Sequence, residues 1–334
     1  MKRFVWLFLI VVIVAGLWSA GWFFAAGQVR QSIDQLALND GDTDPRLTCG
    51  ILNVTGFPFR IDVDCADATL VSEDLTLTAA GFRASVQVDN PAHVLVSARA
   101  PITTANAFFG TSSRLDFADL QGSARLTTSD FIKGLGGDGW RIARLSVVGN
   151  GLDWVETTAG SDLPQAKASH AELQVIDVPE LHDAAAGTAA LAIYALGNNV
   201  VAPGFAIADG EGEVQLQVTG LPDDIRRFGD ADLIAAWQAA GGKLQVMRIN
   251  GTDGEDLIDA SGTLGLDANR MLEGDITYAN RGIRERLAPF VNPMILAVAA
   301  GLPQEDGTFR QALQFTAGAI RVGGIPLANL EPLY

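Results

Sequence analysis

The sequence predicts a mainly β protein, with a long twisted antiparallel sheet and a few short covering helices, preceded by one N-terminal transmembrane helix. Residues 4–26 read FVWLFLIVVIVAGLWSAGWFFAA and contain no ionisable side chain. From Cys49 onward, apolar and polar residues alternate with the period of two that is typical of half-buried strands. Gly, Asn and Asp separate the alternating segments, which indicates tight turns between neighbouring strands.

The apolar run at the N-terminus is long enough to span a bilayer. At about 1.5 Å per residue, residues 4–26 extend roughly 34 Å as a helix. Lys2 and Arg3 precede the run, and only Arg30 follows it closely. The positive-inside rule therefore predicts a cytoplasmic N-terminus and a periplasmic main domain.

A cleaved signal peptide is the alternative, because residues 25–27 read Ala-Ala-Gly and offer a small-residue cleavage site. The apolar run is long and rich in aromatic residues for such a peptide. We favour a single-pass anchor over residues 1–27, in the inner (cytoplasmic) membrane. Residues 28–46 predict a helical stalk and a loop, since apolar residues first recur at helical spacing and Asp, Gly and Pro then follow.

The segment after Arg30 is acidic and long enough to bury a core. It holds all 39 Asp and Glu but only 20 of the 23 Lys and Arg, so its net charge is −19. This balance argues against nucleic acid as a partner. We expect a first β-rich half at residues 47–160 and a second, with two helices, at residues 161–334, continuous with the first.

The two cysteines flank a hairpin pattern. Alignment of the two strands about Phe57 places Cys49 opposite Cys65, and opposed residues on one sheet face have Cβ atoms about 4.5–5.5 Å apart, close to disulfide geometry. An exported domain meets an oxidising compartment, so we predict a disulfide. Metal ligation or catalysis is the alternative, but no His or further Cys lies nearby in the sequence.

Two helices interrupt the strand pattern of the second half. Residues 222–240 open with proline, carry an apolar stripe and end at a Gly-Gly pair, which predicts an amphipathic helix on the sheet. Residues 293–300 follow Asn292 as N-cap, end at Gly301 and have no polar side, so the predicted helix must be buried in protein, ligand or membrane.

Core burial is the simpler explanation of this second helix, and our hypothesis is that the helix closes or gates an apolar groove. The candidate groove or gate residues are Met294, Ile295, Leu296 and Val298. The candidate contacts for phosphate headgroups, with a solvated surface as the alternative, are Arg281, Arg284 and Arg286.

Motifs of catalysis do not occur: HExxH, GxSxG, a Walker loop and a strand-to-helix GxGxxG are all missing from the sequence. The histidines, His93, His170 and His182, are isolated from one another. Asp62 and Asp64 share a strand face with Asp67 nearby and could form a surface metal site, but a solvated sheet face explains them more simply. We expect neither enzymatic activity nor a cofactor or metal.

Three segments and the N-terminal anchor resemble bacterial domain of unknown function 2125. These are VTGFPFRIDVD at residues 54–64, GTLGLDANRMLEGDI at residues 262–276 and GAIRVGGIPLANLEPLY at residues 318–334. That family is similar to the AsmA-like envelope proteins, in which an inner-membrane anchor presents a curled β-sheet with an apolar groove implicated in phospholipid transport. The resemblance implies a curled, groove-like sheet without catalytic residues.

The expected function is therefore non-enzymatic handling of phospholipid or another apolar ligand in envelope maintenance, with the inner membrane as partner. The alternative is a structural or interaction protein of the envelope whose core is closed and holds no ligand. An open apolar groove distinguishes the two.

Overall fold

The computed structural model describes residues 2–127, 139–282, 292–299 and 301–334, together with residues 284, 286 and 288. Its strands form one antiparallel sheet of 17 strands, which confirms the predicted fold class. A long apolar helix precedes the sheet, and short helices interrupt it.

The chain contains the following elements, in order: α1 (Lys2–Leu36), β1 (Arg46–Thr55), β2 (Arg60–Ser72), β3 (Leu75–Gln87), β4 (Asn90–Asn106), β5 (Thr111–Asp116), β6 (Asp119–Leu126), β7 (Ile142–Glu156), β8 (Leu163–Asp177), β9 (Thr188–Ala202), β10 (Ile207–Pro222), α2 (Leu233–Ala239), β11 (Leu244–Asp253), β12 (Asp256–Leu266), β13 (Leu272–Arg281), α3 (Pro293–Ala299), β14 (Leu302–Pro303), β15 (Phe309–Thr316), β16 (Ala319–Val322) and β17 (Ile325–Asn329). Single 3₁₀ turns lie at Pro179–Leu181, Pro203–Phe205 and Ile225–Gly229.

Contacts divide the chain into two units. The first contains Met1–Ser123 and Trp154–Leu163, and the second contains Ala124–Asp153 and Pro164–Tyr334. In the first unit, β1 to β5 pair in sequence order. In the second, β8 to β13 pair in sequence order, and β13 then pairs with β15, which continues to β16 and β17. Both units are therefore antiparallel meanders, as short turn-separated strands predict.

Helix α1 extends beyond the apolar run to Leu36, as the helical spacing of the stalk predicts. Most of its apolar side chains are exposed, including Phe4 at 80% and Leu17 at 70%. Within the described residues it is the one helix that is long and apolar enough to cross a membrane, a property that a signal sequence shares. Its composition and exposure fit insertion into an apolar solvent.

The predicted disulfide is confirmed, but the predicted register is wrong. Cys49 and Cys65 are bonded, with Cα atoms 5.3 Å apart, although β1 and β2 pair Cys65 with Leu52 and Cys49 with Ala68. The register differs because Phe59 belongs to the turn rather than to β2, which begins at Arg60.

The helix predicted at residues 222–240 is shorter than expected. Pro222 is the last residue of β10, a 3₁₀ turn follows at Ile225–Gly229, and α2 starts only at Leu233. The break arises because the carboxylate of Asp224 accepts hydrogen bonds from the backbone amides of Arg226 and Trp140, which fixes this segment to a distant part of the chain.

Removal of the disulfide should destabilise the protein by about 3 kcal/mol, the chain-entropy estimate for a loop of this length. The variant Cys49→Ala/Cys65→Ala tests this by denaturant unfolding. Parent protein treated with a reductant should lose the same stability, and the reductant should leave the variant unchanged. Two reactive thiols in unfolded, unreduced parent protein would contradict the bond.

Candidate functional site

One face of the sheet in the second unit is lined with apolar side chains. Strand pairing across β9, β10, β11, β12, β13 and β15 places three neighbouring rows on this face. The rows are Leu191–Val218–Leu244–Leu264–Gly274–Phe315, Ile193–Leu216–Val246–Gly262–Ile276–Leu313 and Ala195–Val214–Ile249–Ala260–Tyr278–Gln311. We call these three rows the apolar face.

The opposite side of the same strands is polar. Between the first and second apolar rows, the residues that point to this opposite side are Ala192–Gln217–Gln245–Thr263–Asp275–Gln314. This alternation is the pattern of a sheet with one solvated face and one face that requires cover. The apolar face therefore needs a partner layer, from the chain itself or from another molecule.

The chain covers the apolar face only in part. Val246 and Ala260 are each 6% exposed, whereas Leu216, Ile276 and Leu313 are half-buried. Among the described residues, Cys65 is the largest side chain with less than 2% exposure. A sheet packed beneath a full second layer would instead bury its large inward side chains at close-packed density. Apolar surface thus remains accessible along the rows.

Helix α3 lies over the β15 end of the apolar face. The side chain of Gln311, in the third row, donates a hydrogen bond from Nε2 to the carbonyl oxygen of Val298 at 3.1 Å. Leu296 is buried at 7% exposure, Ile295 and Val298 are half-buried, and Ala297 is exposed. The chain alone thus leaves part of this helix uncovered, and its burial in protein, ligand or membrane stays a prediction.

Of the predicted gate residues whose side chains the structure describes, Leu296 is the most buried. The side chain of Met294 and residue 300 lie outside the described residues. The role of this helix as a gate stays a prediction.

Helix α2 packs at the end of β10. The Trp237 indole donates from Nε1 to the carbonyl oxygen of Thr219 at 2.8 Å. A Cβ atom at Gly242 would lie 2.1 Å from this indole, so only glycine fits beside the ring. This contact places α2 directly after Val218, the last β10 residue of the apolar face.

The three predicted headgroup arginines have different surroundings. The guanidinium of Arg286 donates to Asp253 and Asp256, both at 2.7 Å, and to the carbonyl oxygen of Ala206 at 2.7 Å. Arg281 donates to the carbonyl oxygen of Asp306 at 2.7 Å, and Arg284 is exposed. Arg286 thus binds the β11–β12 turn, and among the described residues it shares no polar partner with Arg281.

The ion pairs of Arg286 border an apolar cavity of about 210 Å³ next to the glycine-rich ends of β10 and β11. Hydrogen bonds from Arg286, and then from two backbone amides, hold the pKa of Asp253 below its ordinary value. A Cβ atom at Gly282, where φ is 73°, would lie 1.7 Å from an oxygen of Asp256. Glycine at this position therefore allows the carboxylates to approach Arg286.

Neighbouring arginines and serine account for the acidic strand in the first unit. Asp62 accepts hydrogen bonds from Ser85 and pairs with Arg60, and Asp64 pairs with Arg83 and Arg99. Within the described ranges, no group of three or more His, Cys, Asp or Glu side chains is placed to hold a metal ion.

Each histidine has its own polar neighbour. His93 bonds Ser123, His170 bonds Asn150 and Glu172, and His182 bonds Asp223. These contacts pair each ring with residues on the same or a neighbouring strand or turn, where they contribute to local structure.

Comparison with known proteins gives one match. The model of DUF2125, described as an uncharacterized protein conserved in bacteria, matches residues 22–331, so the chain belongs to this family. No curated protein and no solved structure matches. The similarity to AsmA-like proteins stays an expectation.

Replacement of Leu296 by Asp should destabilise the protein by about 3–5 kcal/mol, because a large apolar contact is lost and a charge is placed in a buried site. Ala297→Asp is the matched control on the exposed side of the same helix. It should change stability by about 0.5 kcal/mol, the usual scale for surface substitutions. Equal, small effects in denaturant unfolding would contradict the packing of α3 on the sheet.

Replacement of Asp253 by Asn should lower stability at pH 7. The folded-state pKa is depressed, so the charged carboxylate stabilises the fold above the unfolded pKa of about 3.9, and this contribution is lost as pH falls through the folded value. The difference in urea midpoint between parent and variant should therefore shrink from pH 7 to pH 3. Glu255→Gln, exposed in the same turn, is the control. A difference that is constant with pH would contradict the ion pair.

Proposed function

We propose that this DUF2125 protein is a non-enzymatic, inner-membrane-anchored periplasmic protein whose apolar face holds a phospholipid or another apolar ligand. The observation that carries the proposal is the apolar face itself, three contiguous rows of side chains that the chain covers only in part. We take its role to be lipid handling in maintenance of the cell envelope.

The distribution of charge and the disulfide both support the proposed membrane topology. Lys2 and Arg3 precede the apolar run of α1, whereas the chain after Arg30 is acidic, so the favoured orientation exports the sheet. The disulfide between Cys49 and Cys65 fits an oxidising periplasm. The proposed protein therefore presents its sheet on the outer side of the inner membrane.

The physical reason to expect an apolar ligand is the apolar side-chain surface that the apolar face leaves in contact with water. Burial of apolar surface gains about 25 cal/mol per Å², or about 0.8 kcal/mol for each methylene group. An acyl chain laid along Leu216, Ile276 and Leu313 would cover side chains that are half-buried in the chain alone. The uncharged rows offer no ion pair, so we expect the chain of the lipid rather than its headgroup to dominate binding there.

A structural or interaction protein without ligand is the second candidate. The burial of Leu296 favours it, because α3 already covers part of the apolar face. The guanidinium of Arg286 is likewise engaged by two carboxylates. In this case partners would bind elsewhere on the domain, and the half-buried rows would stay solvated.

The variant Leu216→Asp tests the proposal, because it places a charge in the middle row of the apolar face. Gln217→Asp is the matched control, one residue away on the polar side. The measurement is the number of phospholipids retained per full-length protein after purification in mild detergent, by native mass spectrometry. We expect Leu216→Asp to retain fewer phospholipids per protein than the parent and Gln217→Asp, while all three unfold cooperatively.

Equal lipid retention by the two variants would contradict binding at the apolar face. Absence of retained lipid from the parent protein would favour the interaction protein with no ligand. Circular dichroism of both variants checks that the sheet is intact.

A further inference from the structure

The turn between β1 and β2 contacts α1 within the apolar run of the helix. The Trp18 indole donates from Nε1 to the carbonyl oxygen of Pro58 at 3.0 Å, and the Trp22 indole donates to that of Arg60 at 2.7 Å. Trp22 also packs edge-on against Phe57, with ring centroids 5.5 Å apart. Trp22 is only 7% exposed, so this contact fixes the turn against the helix.

The depth of this contact follows from the length of α1. If the hydrocarbon core of about 30 Å begins at Phe4, it ends about 20 residues later, near Phe24. Trp18 then lies about 9 Å, and Trp22 about 3 Å, inside the outer boundary. A boundary placed at Trp18 instead would leave only about 21 Å of apolar helix, which is too short to span the core.

The turn has the composition of a segment immersed in lipid. Its tip consists of Phe57, Pro58 and Phe59, and the two phenylalanines are 49% and 68% exposed. Arg60 follows directly, with its side chain 59% exposed and paired with Asp62 at 3.1 Å. An arginine placed just above an apolar tip can extend towards phosphate headgroups.

Four carbonyl groups of the turn accept hydrogen bonds, as a lipid environment favours. Gly56 accepts from the amide of Arg60 and Phe59 accepts from that of Val88, each at 3.0 Å. The two indole bonds satisfy the carbonyls of Pro58 and Arg60. In water such carbonyls need no protein donor, whereas in hydrocarbon each unpaired one costs several kcal/mol.

A groove of about 530 Å³ lies beside the turn, between α1 and the adjacent ends of the strands. Its helix side extends from Val14 to Ala25, and its sheet side includes Ile61, Val86 and Val88. Trp18 and Val14, at the deep end of the groove, lie about 9 Å and 15 Å inside the outer boundary, so the groove reaches the level of the acyl chains.

We propose that the tip Phe57–Phe59 is immersed in the outer leaflet of the membrane and that an acyl chain of an outer-leaflet phospholipid occupies the groove beside it. This inference rests on the membrane insertion of α1 in the proposed function. It assigns the first unit a second membrane contact, which holds the β1–β2 hairpin at a defined depth.

Depth-dependent quenching tests the immersion. The full-length chain, with Phe59→Cys labelled by an environment-sensitive fluorophore, is reconstituted into vesicles of phosphatidylethanolamine and phosphatidylglycerol that contain lipid with a nitroxide on the acyl chain. Cys49 and Cys65 are bonded and do not take the label. Val12→Cys reports on the helix, and Phe109→Cys, 72% exposed in the β4–β5 turn, is the matched control.

We expect labels at 12 and 59 to be quenched and the label at 109 to be unquenched. If the label at position 12 is quenched and the label at position 59 is not, the tip is not immersed, although α1 is inserted in the membrane. Quenching at 109 equal to that at 59 overturns a contact specific to this tip. A label at 12 that is not quenched removes the membrane anchor, and the inference fails with it.

Filling the groove tests its occupant. A Cβ atom added at Gly21, which lines the groove, or at Gly16 on the same helix would meet no atom within 4 Å. Gly21→Leu should therefore fill the groove without a clash, and Gly16→Leu is the control outside it. The probe is a phosphatidylethanolamine with a photoreactive diazirine in its acyl chain, with crosslinks mapped by mass spectrometry.

We expect crosslinks at Ile61 and Val86 to fall about tenfold in Gly21→Leu and to persist in Gly16→Leu. A tenfold fall corresponds to the loss of about two buried methylene groups of the acyl chain. Crosslinks confined to the helix in the parent protein overturn the occupancy of the groove. An equal yield in both variants does the same.

Discussion

A single sheet has two faces, and an apolar face must be buried against another layer of protein or against a ligand. In the second unit that requirement is met only in part. Among the described residues, the α-helices available to cover the sheet are α2 and α3, and each has only seven residues. Each apolar row crosses six strands, whereas α3 meets these rows at Gln311, whose side chain bonds the carbonyl oxygen of Val298. The length of the meander therefore creates the accessible apolar surface from which the proposed function follows.

The backbone tolerates this arrangement because its hydrogen bonds do not depend on the cover. Consecutive strands satisfy one another's amides and carbonyls along nearly their whole length. The sheet is therefore stable even though side chains on its apolar face are only half-buried. Local contacts then fix the ends, such as the Trp237 indole at Thr219 and the carboxylates around Arg286. Stability is distributed along the sheet rather than concentrated in one large core.

The sequence predicts the strands well because alternation is a local property. At residues 213–219 and 274–278 the period of two marks the same side chains that line the apolar face, although only the strand pairing shows that the rows are contiguous. The register of the cysteine hairpin could not be predicted, because it depends on Phe59 staying in the turn beside α1.

Contacts between distant residues explain the other differences. The carboxylates that engage Arg286 lie about 30 residues earlier in the chain, and the bond from Trp140 to Asp224 that interrupts the predicted helix spans 84 positions. The indole bonds of Trp18 and Trp22 to the β1–β2 turn have the same origin: aromatic residues at a membrane boundary are expected from composition, but their hydrogen-bond partners are not.

The proposed function requires that the apolar face contacts lipid. The most direct measurement is methyl NMR of the full-length, perdeuterated chain in nanodiscs, with labelled Ile, Leu and Val methyl groups and protonated phospholipid acyl chains. We expect nuclear Overhauser effects from acyl protons to the methyl groups of Leu216, Ile276 and Leu313, in addition to those of α1. Effects confined to α1, with the methyl groups of the apolar face in contact only with water and protein, would contradict lipid binding by the sheet.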